Sequence, residues 1–220
     1  IWKARVRRNG PPVHEVMRPD EPSVIAAGAE LVARLNRLGE KAAARSDPMA
    51  GRDSVFIGQI HSGEMYNQYP QECRLEGTRR WLPGLRREDV EAELRELFAG
   101  LARDTGAAVD VELVPIRDAF RLGERDPLAA AFQGVLAATA GKPLPVGAKP
   151  FCDDGNTFSA RAGVAAITHG PQAGGAHTLE EWVSISDLER VALVYALTAA
   201  AYCDREGFRN ACAEVRTEHG

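Results

Sequence analysis

The chain has 220 residues, 45% of them hydrophobic, which is enough to bury one large core or two small ones and too apolar for a disordered chain. Its 27 basic and 31 acidic residues are interspersed and leave a formal charge of -4, so no strong field draws nucleic acid or an anionic membrane, and no apolar run approaches the roughly 20 residues of a membrane span. Four cysteines without a CxxC pair are too few for a disulfide scaffold and read as reduced, buried thiols of a cytoplasmic protein.

The chain begins without Met, directly in strand-like sequence, and that start reads as a cut. "WKARVRR" alternates apolar and basic residues, the pattern of a half-buried strand, and stops at the turn signal "NGPP". Residues 22–44 carry apolar side chains at helical spacing (Val24, Leu31, Leu35, Leu38), with Pro22 suited to the first turn. "DSVFIGQIHSG" and "ECRLEGTRRWLPG" are two further strands joined by the polar loop "EMYNQYPQ". "RREDVEAELRELFAGLARDTG" is a second amphipathic helix ending at Gly106, and "AAVDVELVPIRDAF" supplies a fourth strand. The order over residues 1–118 is strand, helix, strand, strand, helix, strand, the ferredoxin-like βαββαβ arrangement. That arrangement serves many unrelated roles and names none of them.

Residues 119–220 differ in kind. "DPLAAAFQGVLAATAG" is a helix, "KPLPVGAKP" a Pro-rich connector, and "FCDDGNTFSARAG" a loop entering a short helix. "VAAIT" reads as a short buried strand, and "ISDLERVALVYALTAAAYC" as the last strong helix, capped by Ser186 or Asp187. One strand and three helices make a thin domain of about 100 residues, which reads as part of a larger α/β domain.

Five histidines are candidates for chemistry: His14, His61, His169, His177 and His219. None sits in a metal-ligand spacing such as HExxH, so no local motif completes a zinc site. His177 stands in "GGAHT", a small-residue loop past the expected strand, where backbone can approach a ligand closely. It is either a ligand or a loop histidine.

Four stretches together resemble one family. "NGPPVHEVMRPDEPSVI", "IHSGEMYNQYPQECRLEGTRRWLPG", "DDGNTFSARAGVAAITHGP" and "GGAHTLEEWVSISDL" are similar, in order, to the C-terminal part of the zinc amidohydrolases and peptidases that include acetylornithine deacetylase, succinyl-diaminopimelate desuccinylase, aminoacylase and glutamate carboxypeptidase. The resemblance implies a lid, or dimerisation, domain over 1–118, followed by the end of an α/β catalytic domain over 119–220. It also implies hydrolysis of an amide beside a carboxylate by two zinc ions, or cobalt or manganese in their place.

By the same resemblance His177 is the last metal ligand. His14 is the lid histidine that stabilises the tetrahedral intermediate in a partner subunit, an oxyanion donor; a turn histidine is the plainer alternative. Asn67 and Arg80 recognise the substrate carboxylate, for which the guanidinium fork is suited; a capping amide and a strand salt bridge are their alternatives. Gly174 and Gly175 present backbone donors, or simply form a turn. Asp153 and Asp154 are out of register with a family Asp, and neither is assigned as a ligand. The family's other ligands and its general base precede the lid, so this chain by itself is expected to be inactive. A non-catalytic homodimerisation module is the alternative reading, and a small-molecule-binding ferredoxin-like module a third.

Overall fold

Trp2, Ala4 and Val6 alternate along β1 (Trp2–Arg7) and are all buried, as a strand with one face on a core requires. The computed structural model describes residues 1–123, 125–149, 151–176 and 178–203. They divide into two units: Ile1–Phe120 with Ala148–Cys152, and Arg121–Gly147 with the described part of Asp153–Gly220.

In the first unit β1 is followed by β2 (Val13–His14), a 3-10 turn at Glu15–Met17 and α1 (Val24–Ala43). Two-residue strands β3 (Ser46–Asp47) and β4 (Gly51–Arg52) precede β5 (Ser54–Ser62). Then come β6 (Gln68–Tyr69), β7 (Glu72–Arg80), α2 (Arg87–Thr105) and β8 (Ala108–Leu113). The main sheet has the order β5-β7-β1-β8 with every neighbour antiparallel, which is the ferredoxin-like topology.

Both helices lie on the face that carries Trp2, Val6 and Leu75. Leu31 and Leu35 of α1 and Leu94 and Phe98 of α2 complete that core. At Gly28 the helix comes so close to β7 that a Cβ would stand 2.5 Å from the Cys73 sulfur. Ser23 caps α1 by accepting the Ala26 N–H at 3.3 Å, so Pro22 precedes the cap instead of lying in the first turn. Gly106 ends α2 with φ 70 and returns its N–H to Ala102 O at 2.9 Å.

The other face of the sheet is open and charged, with Lys3 paired to Glu112 and Arg7 to Asp110 across β1 and β8. Its edge strand β5 is bulged between Ile57 and Gln59 and exposes Phe56 and Ile60. His61 is exposed on this strand, opposite Arg74.

The second unit contains α3 (Pro127–Ala140), α4 (Asp154–Ala162), the two-residue ladder of β9 (Ala173–Gly174) with β10 (Trp182–Val183), and α5 (Ile185–Cys203). Phe132, Val135 and Leu136 of α3 meet Val194 and Ala201 of α5 in its core. Asp126 caps α3 through the Leu128 N–H, and Asp153 with Asn156 forms a capping box on α4.

Three expectations are corrected here. Val164 to Thr168 forms no strand: a buried strand needs a neighbour for its backbone groups, and the described part of this unit offers only the short β9–β10 pair. The cap of α5 is Ser184, whose Oγ accepts the Asp187 N–H at 3.3 Å; Asp187 instead accepts the Gln172 N–H at 3.0 Å. Only Cys73 is a core thiol among the described cysteines, since Cys152 and Cys203 are exposed; Cys212 and His219 lie outside the described residues.

Candidate functional site

Where β1 ends, the strand alternation that buries Trp2, Ala4 and Val6 places Arg8 on the inward side, and its side chain is 1% exposed. A buried guanidinium must fill its five N–H groups or bear a large desolvation cost. Its Nε donates to Pro70 O at 3.1 Å. One terminal nitrogen donates to Asn9 O at 3.2 Å and to the Glu21 carboxylate at 3.0 Å. The other donates to Pro11 O at 2.7 Å and, at 3.5 Å, to Tyr69 O. The Tyr69 ring stands 5.1 Å from the guanidinium carbon, and its hydroxyl donates to Glu21 O at 3.1 Å. Two loops, residues 9–11 and 69–70, are thus tied to one cation.

These loops lead to His14 and Asn67. His14 in β2 pairs with Gln68 in β6, and the Glu15 N–H donates to Asn67 O at 2.9 Å. His14 Nε2 lies 3.2 Å from Asn67 Nδ2, while its Nδ1 accepts the Val16 N–H at 3.3 Å. The histidine therefore caps a short turn and also faces the asparagine. The surroundings are open, with Val16, Met17 and Tyr66 strongly exposed.

Arg80 is not part of this pair. It ends β7 opposite Ser54, whereas the His14 and Asn67 loops adjoin the other end, where Glu72 pairs with Arg7. The nine residues of β7 separate the two ends by about 27 Å, at about 3.3 Å per residue. Arg80 is exposed, and among the described residues its side chain has no ion pair. The salt bridge belongs to Arg79, whose inward side chain is 3% exposed and reaches Asp53 at 3.4 Å and Glu93 at 3.2 Å. Asp53, fully buried, also takes Arg45 Nε at 2.6 Å and the Leu82 N–H at 2.7 Å, which fixes the chain on both sides of Arg80.

In the second unit Gly174 lies against Trp182, whose Nε1 would be 2.6 Å from an added Cβ. Gly175 has φ +66, and a Cβ there would meet Glu180 O at 2.5 Å. Gly175 O accepts both the backbone N–H and the hydroxyl of Thr178, at 3.0 and 2.7 Å. Packing and turn geometry thus account for both glycines. His177, the expected ligand, lies outside the described residues. Among the described residues no three His, Cys, Asp or Glu side chains are grouped to hold a metal ion, so they do not by themselves make a zinc site. Asp153 bonds Thr168 Oγ1 at 2.6 Å and caps α4. His169 packs between the rings of Phe132 and Tyr195, and burial, aided by the Arg190 charge, pushes its pKa below the ordinary histidine value.

Arg8 and Tyr69 are absent from the set read from sequence. The available signal was strand period: an arginine two residues past Trp2, Ala4 and Val6 occupies a core position and needs a reason.

Known proteins place the chain in a family. The family described as peptidase family M20/M25/M40 matches residues 5–201. No curated protein matches the chain. Among solved structures, aminopeptidase PepT from Bacillus cereus is similar with a TM-score of 0.71 and 18% identity, covering 92% of this chain and 51% of that one. A tripeptidase from Staphylococcus aureus gives 0.72 and 18%, covering 91% and 50%. The YXEP protein of Bacillus subtilis, described as a dinuclear metal binding peptidase, gives 0.63 and 15%, covering 92% and 50%. The chain spans about half the length of these structures, and at such identities the likeness is one of fold.

Proposed function

The chain belongs to the peptidase family M20/M25/M40, and we propose that it supplies the lid and the end of the catalytic domain of a metal-dependent hydrolase. The bond cleaved is an amide beside a carboxylate, in an N-acyl amino acid or a dipeptide-like substrate. The observation that carries this reading is the meeting of His14 and Asn67, 53 residues apart in sequence, at one end of the lid sheet.

In this reading the Nε2–H of His14 donates to the oxyanion that develops on the scissile carbonyl, and Asn67 holds the ring in place. Arg80 binds the substrate carboxylate with its fork, for which an exposed guanidinium without an acid partner among the described residues is suited. Arg80 and His14 stand a strand length apart, so one substrate cannot bridge them within a single lid. A second copy supplies the missing partner: each site takes Arg80 from one subunit and His14 with Asn67 from the other. The lid then makes a two-fold homodimer, for which the edge strand β5, with Phe56 and Ile60 exposed, is an available surface.

Zinc is the proposed metal, with cobalt or manganese as substitutes, and His177 is the ligand this chain contributes. Gly174 and Gly175 border that ligand in sequence and give the loop its tight course. The remaining ligands and the general base come from outside these 220 residues, so the chain alone does not turn over substrate, and a cytoplasmic enzyme is the setting. The test is amide hydrolysis by the purified 220-residue chain with added zinc, beside a full-length protein that carries it. Turnover only by the latter agrees; turnover by the chain alone overturns the reading.

A non-catalytic homodimerisation module is the second reading, favoured by the exposed Phe56 and Ile60 on the edge strand β5. A full-length protein without amidase activity that still dimerises through the lid would select it.

A further inference from the structure

We infer that Arg8 is a positioning residue for His14: its guanidinium, and not the main sheet, sets the distance between the His14 loop and the Asn67 loop. The inference rests on the reading of His14 as the oxyanion donor, but its structural content stands on this chain alone.

The sheet stops short of both residues. Its last register pair here is Arg7 with Glu72, followed by one bond from the Arg8 N–H to Gln71 O at 3.1 Å. Beyond that point the loops share the two-residue ladder of Val13 and His14 with Tyr69 and Gln68, the bond from Glu15 N–H to Asn67 O, and one bond from the Gln71 side-chain amide to Gly10 O at 2.5 Å. A two-residue ladder is marginal by itself. Arg8 fills the gap with bonds to Asn9 O and Pro11 O on one loop and Pro70 O and Tyr69 O on the other. Glu21, just before α1, neutralises the cation and is in turn held by the Tyr69 hydroxyl at its backbone carbonyl.

All five guanidinium N–H groups have an acceptor, spread over three nitrogens, which an ammonium on a flexible stem does not reproduce. Lysine at this position keeps the charge beside Glu21 but offers one nitrogen in place of three. The loops then lose the four carbonyl bonds that run through Arg8 and keep only the single Gln71 side-chain bond at this end, and the His14 ring loses its fixed place against Asn67.

The experiment is nuclear magnetic resonance of the 220-residue chain, which needs neither metal nor activity. In the unaltered chain a nuclear Overhauser contact joins the His14 ring to the Asn67 side-chain amide. Arg8→Lys is expected to lose that contact and shift the His14 ring signals, while the amide signals of β1, β7 and β8 stay in place. Arg79→Lys alters a different buried cation in the same unit and is expected to lower the melting temperature without moving the His14 signals. Should Arg8→Lys fail to fold, Glu21→Gln removes the charged arm of the same cluster and is expected to weaken the contact. A merely structural Arg8 gives the opposite result: a lowered melting temperature with an unchanged His14 ring and an intact Asn67 contact, in either variant. That outcome overturns the inference and leaves the role of His14 in hydrolysis to be judged from activity.

Discussion

His14 Nε2 stands 3.2 Å from Asn67 Nδ2, and the same ring accepts the Val16 N–H at Nδ1. A neutral imidazole cannot accept at both nitrogens. The Val16 bond fixes Nδ1 as the acceptor, so the proton sits on Nε2, and Asn67 turns its amide oxygen toward it. An oxyanion donor needs the same tautomer, with the substrate oxygen taking the place of the Asn67 oxygen as the acceptor of the Nε2–H. Nitrogen chemical shifts of the ring report it directly. A spectrum with the proton on Nδ1 would show that Asn67, and not Val16, dictates the ring's state.

In a full-length enzyme carrying this chain, His14→Ala is expected to lower kcat by about 10² to 10³, the usual loss for one oxyanion donor. KM should change far less, because the interaction forms in the transition state. A rise in KM with kcat intact would make His14 a substrate-binding residue.

The adjacent arginines of β7 should behave oppositely. Asp53→Ala strips Arg79 and Arg45 of their buried carboxylate and leaves the Leu82 N–H without its acceptor, and is expected to cost about 3–5 kcal/mol. Arg80→Ala, at an exposed side chain, should stay within about 0.5 kcal/mol of the parent chain. Urea unfolding of the 220-residue chain measures both. An Arg80 variant as unstable as the Asp53 variant would mean that Arg80 serves the fold and not the substrate.

His169 makes stability pH-dependent. Its pKa is held below the ordinary value of about 6.5 by burial between Phe132 and Tyr195. The fold therefore resists protonation that the unfolded chain accepts. Its contribution is complete above about pH 6.5 and declines as pH falls toward the depressed folded value. Melting temperatures from about pH 7.5 to about pH 5 should fall in the native chain and fall less in His169→Phe, which keeps an aromatic ring in the same slot. Equal slopes would assign the acid sensitivity elsewhere.

Much of the lid was legible because its signals are local and periodic. Alternation from Trp2 to Val6 gave β1, the spacing of Leu31, Leu35 and Leu38 gave α1, and Gly106 marked the end of α2. Non-local features were not legible. The two-residue ladders of β2 with β6 and β9 with β10 have no periodicity to read, and "VAAIT" has strand composition without a neighbour to pair with among the described residues. His14 and Asn67 could be named from resemblance, yet their contact depends on a loop tie through Arg8 that only three-dimensional placement reveals. The separation of Arg80 from that pair follows from strand length once the register is known.

The central claim is that Arg80 and His14 serve one site from two different copies. The most direct measurement mixes His14→Ala and Arg80→Ala forms of a full-length enzyme carrying this chain, after dissociation and reassociation, and assays amide hydrolysis. Each mixed dimer then holds one intact site and one doubly altered site. With about half of the dimers mixed, activity should return to about one quarter of the unaltered enzyme, far above either variant alone. An activity no higher than the average of the two variants would contradict the account, because both residues would then serve a site within one chain.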